Sequence, residues 1–102
     1  MKETDIQKKI LSHLRKNEIG FFFKFHNGPF GHSGVSDIVG VCYGIAIFME
    51  VKSEKGRLTK LQDKFLRDAS AQGAVCGVVR SVDDAMGLIA MAKMQAHVDG
   101  SE

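Results

Sequence analysis

The pattern of apolar residues along this 102-residue chain predicts a mixed α/β domain. The expected order is α-β-β-β-α-β-α, a mixed four-stranded sheet flanked by helices. Three observations predict it. The chain opens on apolar residues at helical spacing, its middle holds two β-rich runs two residues apart, and its second half alternates helix, strand and helix patterns.

From Glu3 to about Asn17, Ile6, Ile10 and Leu14 recur on one helical face with Leu11 beside them, while Lys8, Lys9, Arg15 and Lys16 fall largely opposite. The aromatic run Phe21-Phe22-Phe23-Lys24-Phe25 has strand character and is read as core strand rather than as a base-stacking platform. His26 to Gly34 (HNGPFGHSG) holds three glycines and the only proline, which makes it a loop. Val35 to Cys42 and Ile45 to Lys52 then form a hairpin about Tyr43-Gly44. After the polar loop Glu54 to Leu58, a helix is expected from about Thr59 to Gln72. Its buried side carries Leu61, Phe65, Leu66 and Ala69, and Gly73 stops it. Val75 to Arg80 is the fourth strand. Ser81 caps a last helix running to about Ala96, with Asp83 and Asp84 in its first turn.

No internal repeat, low-complexity tract or Pro/Gly-rich linker divides residues 1–102, so one domain is expected. The net charge of +2 identifies no partner, although residues 1–35 carry six basic and three acidic side chains and the remainder eight and nine. No apolar run approaches the roughly 20 residues that cross a bilayer, and MKETDIQKK is too polar for a signal peptide. Cys42 and Cys76 lie in apolar surroundings and are read as reduced core residues of a cytoplasmic protein. The four histidines show no i,i+4 pair of the kind that builds a helical zinc site.

Asp37, Glu50 and Lys52 are the informative positions. Strand side chains alternate, so Glu50 and Lys52 share a face about 6.6 Å apart along their strand. With a two-residue turn at Tyr43-Gly44, Cys42 opposes Ile45, and counting back along both strands sets Asp37 opposite Glu50. Their Cβ atoms are then about 4.5–5.5 Å apart, where like charges repel. A bound divalent cation relieves that repulsion, and so does a shared proton or Lys52 as counter-ion. A slipped register leaves the same charges on a wet edge instead.

Gly34-Val35-Ser36-Asp37, Phe48-Met49-Glu50-Val51-Lys52 and Leu58-Thr59-x-x-Gln62 resemble the PD-(D/E)xK nuclease superfamily, with its restriction-endonuclease-like core. Within it they are most similar to the VRR-NUC (virus-type replication-repair nuclease) family. The resemblance spans about Glu3 to Ser81, with Glu3 in the place of an acidic residue near the start of the first helix. Ser36 stands where proline is usual.

The resemblance implies a divalent-metal-dependent DNA endonuclease using Mg²⁺ or Mn²⁺. Asp37, Glu50 and the Val51 backbone carbonyl would hold the metal, and Lys52 would orient the attacking water or stabilise developing charge. Gln62 has two readings: a site amide, or the closing residue of a Thr59-x-x-Gln62 capping box. Glu3 likewise either points into the site or favours the first turn of its helix, with Gln7 a lesser companion one turn on. Lys24, His26, Lys55, Arg57 and Lys60, with Lys64, are candidates for phosphate contact. His26 and His32 are read as surface or loop-packing residues rather than metal ligands.

By the same resemblance, stand-alone domains of this size are structure-specific enzymes, some acting on four-way (Holliday) junctions. Symmetric cutting of a junction calls for a C2 homodimer. Met86, Met91 and Met94 on the last helix are read as core, or as part of that dimer surface. Two alternatives belong to other classes: a catalytically silent nucleic-acid-binding module, and the cleavage subunit of a helicase, replication-repair or restriction assembly acting in trans.

Overall fold

The computed structural model describes residues 1–26 and 34–99. Seven elements follow in order: α1 (Glu3–Lys16), β1 (Phe21–Lys24), β2 (Ile38–Cys42), β3 (Ile45–Val51), α2 (Lys60–Ala71), β4 (Val75–Val79) and α3 (Val82–Asp99). They form a mixed four-stranded sheet in the order β1-β2-β3-β4. β1, β2 and β3 are antiparallel neighbours, and β4 runs parallel to β3 with α2 as the crossover between them.

The sheet has two unlike faces. On one, Phe22, Ile38, Cys42, Ile47, Met49, Val51, Val75 and Val79 pack against Ile6, Ile10, Leu11 and Leu14 of α1 and Ala85, Leu88, Ile89 and Ala92 of α3, forming the core. The stripe read from α1 is thus the stripe that is buried. Its acidic first turn (Glu3, Asp5) and basic last turn (His13, Arg15, Lys16) also suit the helix dipole. On the other face α2 covers only part of the sheet, anchored by an edge-on contact of Phe65 with Phe48 at 5.2 Å between ring centroids.

The β2–β3 hairpin has the expected two-residue turn. Tyr43 (φ 57°) and Gly44 (φ 75°) are both left-handed, the requirement of a type I′ connection, whose twist matches that of the flanking strands. Cys42 therefore opposes Ile45 and Ile38 opposes Met49. Pairing stops there, so β2 begins at Ile38 rather than Val35. At the start of that approach Gly34 (φ 83°) passes so close to α2 that a Cβ would lie 2.6 Å from the Leu61 carbonyl oxygen. This close passage keeps the chain leading to Asp37 beside the first turn of α2.

Several expectations are corrected. The aromatic run divides by strand alternation: Phe22 is core, but Phe21 and Phe23 are 69% and 44% exposed, because α2 does not reach over β1. Leu61 is 57% exposed rather than buried. Between α2 and the start of β3 an apolar groove of about 800 Å³ remains, lined by Ala46, Phe48, Leu61 and Phe65 among others. Strands β1, β3 and β4 each end one residue earlier than expected, and α3 runs three residues past Ala96 to Asp99. Of the last-helix methionines only Met86 packs on the core, while Met91 and Met94 are exposed. Both cysteines are free, Cys42 buried and Cys76 half-buried. Among the described residues no helix is long and apolar enough to cross a membrane.

Candidate functional site

Asp37 lies just before β2 and Glu50 one residue before the end of β3, on the sheet face that carries α2. Continuing the observed register past Ile38↔Met49 sets them opposite each other, in hydrogen-bonding contact through their carboxyl groups. Asp37 is fixed from two directions. Its carbonyl accepts from Phe25 N at 2.8 Å, and its Oδ2 accepts from Val51 N at 2.9 Å. The carboxylate thus takes a ladder donor that the diverging chain before Asp37 does not reach. Lys52 N donates to Val79 O of β4 at 3.1 Å. Backbone groups alternate sides along a strand, so the N–H and C=O of Val51 both face the Asp37 side. The Val51 carbonyl is therefore presented toward the same carboxylate pair.

Glu50 is 2% exposed and Lys52 9%. Burial raises the Glu50 carboxyl, and its hydrogen bond with Asp37 and the charges of Asp37 and Glu3 add to the rise. Lys52 opposes them, and the outcome is a pKa of about 8 against an ordinary 4.5. The arrangement is an acid pair, Glu50 buried and Asp37 half-buried, that needs either a proton or a cation.

Gln62 fulfils both of its readings. Its Oε1 accepts from Thr59 N at 3.0 Å while Thr59 Oγ1 accepts from Gln62 N at 3.1 Å, a complete capping box. The other end of the same amide, Nε2, points at Glu50 Oε2 at 3.4 Å. Glu3 reaches the end of β3 from α1, its Oε2 accepting from Ser53 N at 3.4 Å. There it borders the Lys52 stem across Gly56. It holds the loop and raises Glu50; its hydrogen bond is to backbone, not to the acid pair. The expected phosphate contacts Lys24, His26, Lys55, Arg57 and Lys60 are all exposed. His32 lies outside the described residues.

Three residues escaped the sequence reading or were given little part in it. The Arg80 guanidinium donates to Ser53 O and, at 3.2 Å, to Glu54 O. Ser53, the residue after Lys52, is therefore held at its N–H by Glu3 and at its carbonyl by Arg80. No periodicity signals such a loop contact; the one sequence hint is a cation at the end of a strand that begins a helix cap. Gln7 Oε1 and Ser36 Oγ are buried without a hydrogen-bond partner among the described residues. Gln7 stands one turn beyond Glu3 on the same stripe, and Ser36 adjoins Asp37.

Two carboxylates and a backbone carbonyl are hard oxygen donors, the ligand type of Mg²⁺ and Mn²⁺. The raised pKa of Glu50 comes first from burial and then from Asp37, and a bound divalent cation would act against both. The residues present therefore fit such an ion. The described residues contain no cluster of three or more His, Cys, Asp or Glu side chains that could hold a metal ion. In comparisons with known proteins, no family model matches this chain and no curated protein matches it.

Proposed function

We propose that this chain is a divalent-metal-dependent DNA endonuclease of the PD-(D/E)xK type, nearest in motif to the VRR-NUC family. The observation that carries the reading is the opposition of Asp37 and Glu50 on one sheet face, with Lys52 beside them and the Gln62 amide on Glu50. A binding module gains nothing from an acid pair facing a polyanion, since the pair repels phosphate unless a cation lies between. Bound Mg²⁺ would polarise the phosphate and make a bound water more acidic.

Asp37, Glu50 and the Val51 carbonyl would hold that ion. The Lys52 ammonium, fixed by burial and by the grip of Glu3 and Arg80 on the next residue, would orient the attacking water and stabilise charge on the phosphate oxygens. Gln62 holds Glu50 in place. The exposed cations Lys55, Arg57 and Lys60 follow the site along the β3–α2 loop and would track the DNA backbone without reading bases. Among the described residues no element has the form of one that reads base edges, and selection by DNA shape fits that better than sequence recognition. Symmetric cutting of a four-way junction would require two sites, hence a C2 homodimer.

The test is cleavage of labelled four-way junction, flap and linear duplex with Mg²⁺, with Mn²⁺ and with chelator. The reading expects metal-dependent cutting of a branched substrate, lowered about 10²–10³-fold in Lys52→Ala. Absence of cutting on every substrate, with binding retained, would overturn it in favour of a silent binding module.

A further inference from the structure

The sheet face that carries the acid pair is only half covered. α2 lies over β3 and β4, held by Phe65 on Phe48 and by buried Leu66. Along β1 and at the far end of β2, Phe21, Phe23 and Val41 on the same face are exposed, while Val39 between them is buried. Strand register places them in order. Phe21 opposes Val41, Phe23 opposes Val39, and Phe25 N bonds Asp37 O one step further along. Phe23 is therefore a diagonal same-face neighbour of Asp37, about 7–8 Å away, and Phe21 continues the row outward.

Exposed phenylalanines on an edge strand favour aggregation unless something covers them. Their size limits what that is. At about 200 Å² per ring, the two expose roughly 200 Å² together, against about 800 Å² per partner in a stable protein interface. Two rings in a row match two nucleobases. Their centroids are 6.0 Å apart and the planes are inclined at 55°, so the pair does not close into a parallel stack and each retains a free face.

We propose that Phe21 and Phe23 form a stacking surface for unpaired nucleobases beside the scissile phosphate. This inference rests on the nuclease reading for its placement. It specifies the substrate class as DNA with unstacked bases next to the cut, such as a single strand or an opened branch point, rather than continuous duplex. Base–aromatic stacking tolerates any sequence, because every base offers a π face.

The test measures binding by the full chain, in chelator so that nothing is cut. The probes are a labelled 12-nucleotide single strand containing 2-aminopurine and a blunt duplex of the same sequence. The expected result is a loss of single-strand affinity of about 5- to 100-fold in Phe23→Ala and in Phe21→Ala. Duplex affinity should stay within about twofold, and Phe23→Trp should restore binding and 2-aminopurine quenching. Phe23→Leu, which keeps apolar bulk and guards against misfolding, should behave as the alanine variant does. Wild-type binding by Phe23→Leu, equal losses on both probes, or conversion of a dimer to monomers by either alanine variant in sedimentation would overturn the proposal. Cleavage in Mg²⁺, measured separately, keeps the two readings apart. Intact cutting with Phe-independent binding overturns the stacking surface alone. Phe-dependent binding in a chain that never cuts upholds the surface and overturns the nuclease.

Discussion

Glu50 holds its proton to about pH 8 because it is buried against a second acid. In metal-free protein that has a definite sign. Below about pH 4.5 the folded and unfolded chains are both protonated at this group and its contribution is intact. Between 4.5 and 8 the folded chain binds the extra proton, so stability falls as pH rises, and the loss is complete above about 8. Glu50→Gln removes the titration. Melting curves in chelator should show wild type losing more between pH 5 and pH 9 than the variant, and parallel losses would contradict the assignment. Ser36 carries a second prediction at this scale. Its buried hydroxyl lacks a partner, so Ser36→Ala should leave stability unchanged or raise it by about 1 kcal/mol, read from denaturant midpoints at constant slope.

At the scale of elements, α2 and the β2–β3 turn set the site. Gln62 is shared between helix cap and Glu50, and Gln62→Glu separates the two uses. Glutamate still closes the capping box, but it replaces an amide donor by a third acid. The melting temperature at pH 6 should shift by no more than a few degrees, while metal-dependent cleavage falls at least tenfold. Equal cleavage would reduce Gln62 to a cap. In the turn, Tyr43 holds a positive φ that a bulky residue adopts poorly. Tyr43→Asn, suited to the first position of a type I′ turn, should stabilise the chain by about 0.5–1 kcal/mol in chemical denaturation.

The same turn explains how much of the site was legible in the sequence. Two residues between strands fix the register, and register alone puts Asp37 opposite Glu50. The stripe of α1, the cap of α2 and the Ser81 cap of α3, where Ser81 Oγ accepts from Asp84 N, are local patterns and were equally readable. The Arg80 grip on the β3–α2 loop was not, because a contact between residues 27 positions apart leaves no periodic trace. The exposure of Phe21, Phe23 and Leu61 was hidden for a related reason. Alternation and helical phase say which side chains share a face, but not how far the covering helix extends over it.

Across the whole molecule, two helices close one sheet face into a core, and the third covers only part of the other face, with the acid pair at one end. That division places the acid pair on a rigid frame, with the aromatic row on one side of it and the cationic β3–α2 loop on the other. On the proposed reading, Asp37 and Glu50 together hold one divalent ion. Calorimetric titration of the full chain with Mn²⁺ in buffers of different ionisation enthalpy tests it most directly. One ion per chain should bind, with release of a proton that disappears above about pH 8, and Asp37→Ala or Glu50→Gln should abolish the binding. Saturable binding that survives both substitutions, or no binding by the wild-type chain, would contradict the account.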